Sequence, residues 1–169
     1  HCHAGCDPSE VMAALDLSWT DLSDKRQDST IVGTYPYHDA DGTLLYEVVR
    51  LSPKSFRQRR PDGRGGWVWN LRGVDRVPYR LPELLAAVAV AEEVWIAEGE
   101  KDADALAGAG VTATCNSGGA GKWEMSHAQW LRGAAGAVIV ADDDEPGRDH
   151  ARTVAGTLSL LGIPWRTVT

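Results

Sequence analysis

Long apolar runs are missing from this 169-residue chain. Nothing in it approaches the roughly 18 consecutive apolar residues of a bilayer-spanning helix, so no membrane partner is expected. A basic-then-apolar leader is missing too, and no secretory signal is expected. Cysteine is scarce: Cys2, Cys6 and Cys115 are too few for a disulfide framework, which points to a reducing cytoplasm. Methionine is missing from position 1, where His1 stands, so the chain is expected to be a fragment or a processed product. Internal repeats and low-complexity tracts are also absent. An ATP-binding P-loop is excluded at "SGGAGKW": Asn116 occupies the place of its first glycine, and Trp123 that of its Ser or Thr.

What remains is a globular composition. Hydrophobic residues make up 43%, enough for a real core and too many for a disordered chain. The net charge of −7 alone argues against a nucleic-acid partner, but its distribution argues the other way. Residues 50–80 hold nine of the 17 Lys and Arg and only two acids, a local +7, while the flanking segments carry −7 each. A basic block between acidic ones is an electrostatic footprint for phosphate, with Lys54, Arg57, Arg59, Arg60 and Arg64 as its candidate contacts. Trp67 and Trp69 share one face of a short strand beside these arginines. They suit either base stacking or the cover of a small core.

The pattern divides the chain in three. Residues 1–29 hold a Cys/His knot, a helix with Asp7 as N-cap and Pro8 in its first position, and a polar connector. Residues 30–80 read as a small basic antiparallel sheet. "TIVGTYPYHD" and "TLLYEVVRL" form a hairpin, "KSFRQRRPDGRGG" is a charged turn segment, and "WVWNL" is a short strand. From Leu81 to Thr169, strands "EVWIAEG", "VTATCNS", "GAVIVAD" and "IPWRTVT" alternate with helices, which predicts α/β architecture: a parallel, Rossmann-like sheet with helices on both faces. Ligands in such sheets bind at the carboxyl ends of the strands.

Two of those strands end in acid. One delivers Glu98; the other delivers Asp142 and Asp144, which point the same way in an extended segment while Asp143 points elsewhere. Carboxylates crowded on one edge repel each other unless a cation neutralises them, and a site of oxygen ligands alone favours Mg²⁺ or Mn²⁺. The same acids also suit a helix start, with Asp144-Glu145-Pro146-Gly147 as its first turn. Lys101, just after the Glu98 turn, and Lys122, in the glycine loop, are further candidate phosphate contacts. Cys115 and Trp95, Trp130 and Trp165 read as packing residues. His127 and His150, with no paired Cys or His nearby, read as solvent or core residues rather than metal ligands.

"VWIAEGEKDADAL", followed about 40 residues later by "VIVADDDEPGRDHA", resembles the TOPRIM domain shared by primases, topoisomerases and some nucleases and recombination proteins. "EGEKD" and Asp142-x-Asp144-x-x-Gly147 look like primases of phages and plasmids, and "HCHAGC" looks like the second half of a primase zinc ribbon. The resemblance makes residues 81–169 a TOPRIM domain, with a C-terminal truncation expected. It implies Glu98, Asp142 and Asp144 as catalytic metal ligands and Asp102 as a nearby acid supporting metal or nucleotide. The implied activity is synthesis of RNA primers on single-stranded DNA from nucleoside triphosphates, with a replicative helicase as a further partner, in the cytoplasm of a bacterium or a phage-infected cell. A metal-dependent nuclease and a non-catalytic nucleic-acid-binding module are the alternatives. Cys2 and Cys6 would be the remnant zinc ligands. A ribbon needs two ligand pairs and the first would precede His1, so Zn²⁺ is not expected here.

Overall fold

The computed structural model describes residues 7–14 and 29–169. The chain divides into two compact units, His1–Thr30 and Ile31–Thr169. In the first, helix α1 (Pro8–Ala14) starts as expected: the Ser9 N–H donates to Asp7 Oδ1 at 2.7 Å. Cys2 and Cys6 lie outside the described residues, so the zinc-remnant expectation is not addressed.

The second unit holds two sheets. The first is antiparallel, in the order β1 (Thr30–His38), β2 (Leu44–Ser52), β3 (Ser55–Pro61), β4 (Trp67–Val68). Asp39 closes the expected β1–β2 hairpin, its Oδ1 accepting the N–H groups of Asp41 and Thr43 at 3.0 and 2.8 Å. The segment expected to be a charged turn is corrected here: Ser55–Pro61 is a strand, paired with β2 from Glu47↔Arg59 to Leu51↔Ser55. The turns are confined to Lys54, in the link from β2 to β3, and to Asp62–Gly66, where Asp62 Oδ1 accepts from the Arg64 and Gly66 N–H groups. Cross-strand partners outweigh the low strand propensity of Gln58 and its arginine neighbours.

The second sheet is parallel, in the order β6 (Ala113–Thr114), β5 (Glu93–Ile96), β7 (Gly136–Val140), β8 (Trp165–Val168). Helix α2 (Leu81–Ala89) leads into β5, α3 (Glu100–Gly108) follows it, α4 (Met125–Ala128) precedes β7 and α5 (Glu145–Leu160) follows it. β5 and β7 are central. Their apolar residues, including the buried Val94, Ile96, Val138 and Ile139, reflect coverage on both faces. α5 buries His150, Ala151, Val154, Ala155 and Leu158, the three- and four-residue spacing of one helix face. Trp165, expected to pack, is 45% exposed instead, because β8 is an edge strand.

One core joins both sheets. Tyr37 and Tyr46 from the antiparallel sheet are fully buried with Leu84, Ile96 and Leu158 in the same cluster. Their rings stack at 4.5 Å, and Tyr79 packs against Tyr37 at 5.1 Å. Among the described residues no helix is long and apolar enough to cross a membrane.

Candidate functional site

β5 and β7 run in parallel register, Trp95 beside Val138 and Ile96 beside Ile139, so they deliver their acidic ends to one edge. Glu98 lies two residues beyond β5, and Asp142 two beyond β7. α3 begins immediately after Glu98-Gly99 and places Asp102 in its first turn. A cleft of about 710 Å³ opens over this edge. Glu98, Asp102 and Asp142 line one side together with Gly118 and Gly119; Arg50, Lys54, Arg57 and Gln58 of the antiparallel sheet line the other, and Lys101 also reaches it. The cleft therefore sets an acidic wall against a basic one.

Glu98 carries the clearest electrostatic signature. Burial pushes its carboxyl above the ordinary range, and the charges of Asp142, Asp144 and Asp102 push the same way. Its Oε2 is buried without a hydrogen-bond partner. A carboxylate oxygen left in that position gains from a cation, and the donor set, all oxygen, suits Mg²⁺ or Mn²⁺. Among the described residues no three Asp, Glu, His or Cys side chains converge closely enough to cage an ion unaided.

Asp144, which does not line the cleft, has a capping role. It is the N-cap of α5, its Oδ1 accepting the Gly147 N–H at 2.7 Å, so the capping reading of this acid holds in the structure. Asp143 points elsewhere, to Arg148 at 3.0 Å on the surface. Gly147 is required by contact: a Cβ there would lie 2.6 Å from the Asp142 carbonyl oxygen.

The basic candidates separate. Lys54, Arg57 and Lys101 line the cleft; Arg59, Arg60, Arg64 and Lys122 do not. Arg59 is bound to Glu47 at 2.7 Å and stacked over Trp67 at 4.0 Å. Arg57 lies over Trp69 at 4.5 Å. Both tryptophans thus present a ring face to their own arginines while remaining 37% and 40% exposed. Arg60 lines an open groove elsewhere with Leu45, Val77 and Trp130. The glycine loop bearing Lys122 is held from beneath by buried side chains: Asn116 Nδ2 donates to the Gly119 carbonyl at 2.9 Å, and Gly121 N–H donates to His150 Nδ1 at 3.3 Å. Arg50 and Gln58 were missed as site residues. Arg50 lay within the basic block, but its strand neighbours gave no sign of which face it would take.

No family profile and no curated protein sequence matches the chain. Solved structures do. The primase fragment of the bacteriophage T7 primase-helicase protein aligns over 80% of this chain and 52% of its own, with 16% identity and a TM-score of 0.58. The zinc-binding and RNA polymerase domains of the Aquifex aeolicus primase align over 95% and 41%, with 16% identity and a TM-score of 0.62. A DNA primase domain from Pseudomonas aeruginosa aligns over 91% and 48%, with 22% identity and a TM-score of 0.56. The chain thus spans about half, or less, of the solved chains it matches.

Proposed function

The chain has a primase-like TOPRIM fold, and from it we propose that it is part of a DNA primase that joins ribonucleotides on a single-stranded DNA template. The observation that carries this reading is the two-walled cleft, with the unpartnered Glu98 oxygen among acids on one side and Lys54 and Arg57 on the other. Glu98, Asp142, Asp144 and Asp102 would hold Mg²⁺ or Mn²⁺. The metal, when bound, supplies charge neutralisation for a triphosphate and lowers the pKa of an attacking hydroxyl. The chain's own contribution is positioning. The parallel strands fix the acids on a rigid edge, and the basic wall opposite attracts and orients phosphates. Phosphoryl chemistry needs little more from a protein than that.

Template DNA and nucleoside triphosphates are the partners this reading requires. A helicase partner belongs to the same proposal, supported by the primase-helicase named among the similar structures. A cytoplasmic location follows from the same function. The test is incubation with single-stranded DNA, ribonucleotides and Mn²⁺, comparing the wild type with Asp142→Asn. Template-dependent ribonucleotide products that vanish in the variant support a primase. Strand scission without ribonucleotide incorporation overturns it in favour of a nuclease.

A further inference from the structure

Carboxylates recur at every second position from Glu98 to Asp104: Glu98, Glu100, Asp102, Asp104. The fold gives them two different surroundings. Glu98 and Asp102 line the cleft. Glu100 and Asp104, four apart and so on one face of α3, meet tyrosines. The Tyr37 hydroxyl donates to Glu100 Oε1 at 2.8 Å, and the Tyr79 hydroxyl donates to Asp104 Oδ2 at 3.3 Å. Tyr37 is fully buried in the stack with Tyr46, and Glu100, which lines the cleft as Glu98 and Asp102 do, is only 7% exposed.

The start of α3, with Gly99 as its N-cap, lacks a side-chain cap, and its next anchors are the buried Ala103 and the Arg80–Asp104 ion pair at 3.4 Å. Gly99 joins Glu98 directly to Glu100, and Asp102 follows within the same turn. The Tyr37–Glu100 hydrogen bond is therefore the side-chain anchor nearest the two acids that face the cleft, and it reaches them from the antiparallel sheet, 63 residues earlier in the chain.

We propose that the buried Tyr37–Glu100 pair is a positioning device for the acidic site. It fixes the first turn of α3 so that Glu98 and Asp102 face the cleft, and it holds the Glu100 carboxylate out of the cation's shell. The proposal rests on the metal reading given above. Its ligand class is a divalent cation, and its action runs through Glu98 and Asp102 rather than through contact with the ion.

The test is Mn²⁺ affinity of the full chain, read by the loss of the free-ion paramagnetic resonance signal, with thermal melting recorded on each protein. Tyr37→Phe keeps the ring stack and removes the donor; it should weaken Mn²⁺ binding about tenfold, the scale of lost outer-shell support. Glu100→Gln keeps an oxygen that accepts the Tyr37 hydroxyl and should bind within about twofold of the wild type, because a positioning role needs the hydrogen bond and not the charge. Tyr79→Phe removes the bond one turn further along the same helix face and should lower the melting temperature with affinity unchanged. Wild-type affinity in Tyr37→Phe would overturn the inference and leave the proposed metal site standing. A loss in Glu100→Gln as large as in Glu98→Gln would overturn it too, making Glu100 a ligand. Absence of Mn²⁺ binding in the wild type would remove the metal reading, and this inference with it.

Discussion

Asp144 is asked for two things by the structure: an acceptor for the Gly147 N–H and, in the proposed site, a negative charge near Glu98. Two substitutions separate them. Asn caps helices as well as Asp, so Asp144→Asn should melt close to the wild type while Mn²⁺ binding falls. Asp144→Ala should lose the cap as well, about 1 kcal/mol of stability, seen as a melting temperature lower by about 2–4 °C. His150 makes a separate prediction. Burial lowers its pKa below the ordinary 6.5, its Nδ1 accepts the Gly121 N–H, and its Nε2 is buried without a partner. The folded chain therefore holds the ring neutral, and unfolding takes up a proton between the lowered value and 6.5. The stability of the neutral ring is present above that window and is lost as the pH falls through it. His150→Asn retains an acceptor and removes the titration, so between about pH 7.5 and 5 it should lose less stability than the wild type in chemical denaturation. An equal loss in both would mean that the ring titrates alike in the folded and the unfolded chain.

The turn between β7 and α5 depends on Gly147, whose missing side chain lets the first helical turn lie against the Asp142 backbone. Gly147→Ala should cost about 1–3 kcal/mol, the usual scale of overpacking, and should weaken Mn²⁺ binding because Asp142 moves with its backbone. β5 and β7 were legible in the sequence because central parallel strands are apolar on both faces and stop where charge begins. Glu98 and Asp142 were legible with them, as residues at the ends of those strands. β3 was not legible: its run of Arg and Gln looks like a loop until Glu47 and the tryptophans of the neighbouring strands give those side chains partners. The cap at Asp144 could be read as one of two options, since the same residue type serves both. The tyrosine contacts to Glu100 and Asp104 could not be read at all, because they join residues 25 to 63 positions apart that only the tertiary fold brings together.

At the scale of the whole second unit, the antiparallel sheet and the TOPRIM-type sheet share one core and face each other across one cleft. The net charge of −7 conceals this arrangement, since the basic wall is opposed by acids rather than spread among them. Replacing Lys54 and Arg57 with Ala should weaken single-stranded DNA binding and flatten its salt dependence, by about 0.7 in log–log slope for each phosphate that the chain no longer neutralises. An unchanged slope in a fluorescence titration would place the DNA elsewhere on the chain. The central claim is that the edge formed by Glu98, Asp102, Asp142 and Asp144 is a divalent-cation site, and its most direct test is a calorimetric Mn²⁺ titration of the wild type beside Asp142→Asn. The account predicts saturable binding in the wild type, weakened at least about tenfold in a variant that melts normally. No binding in the wild type, or equal binding in both, would contradict it.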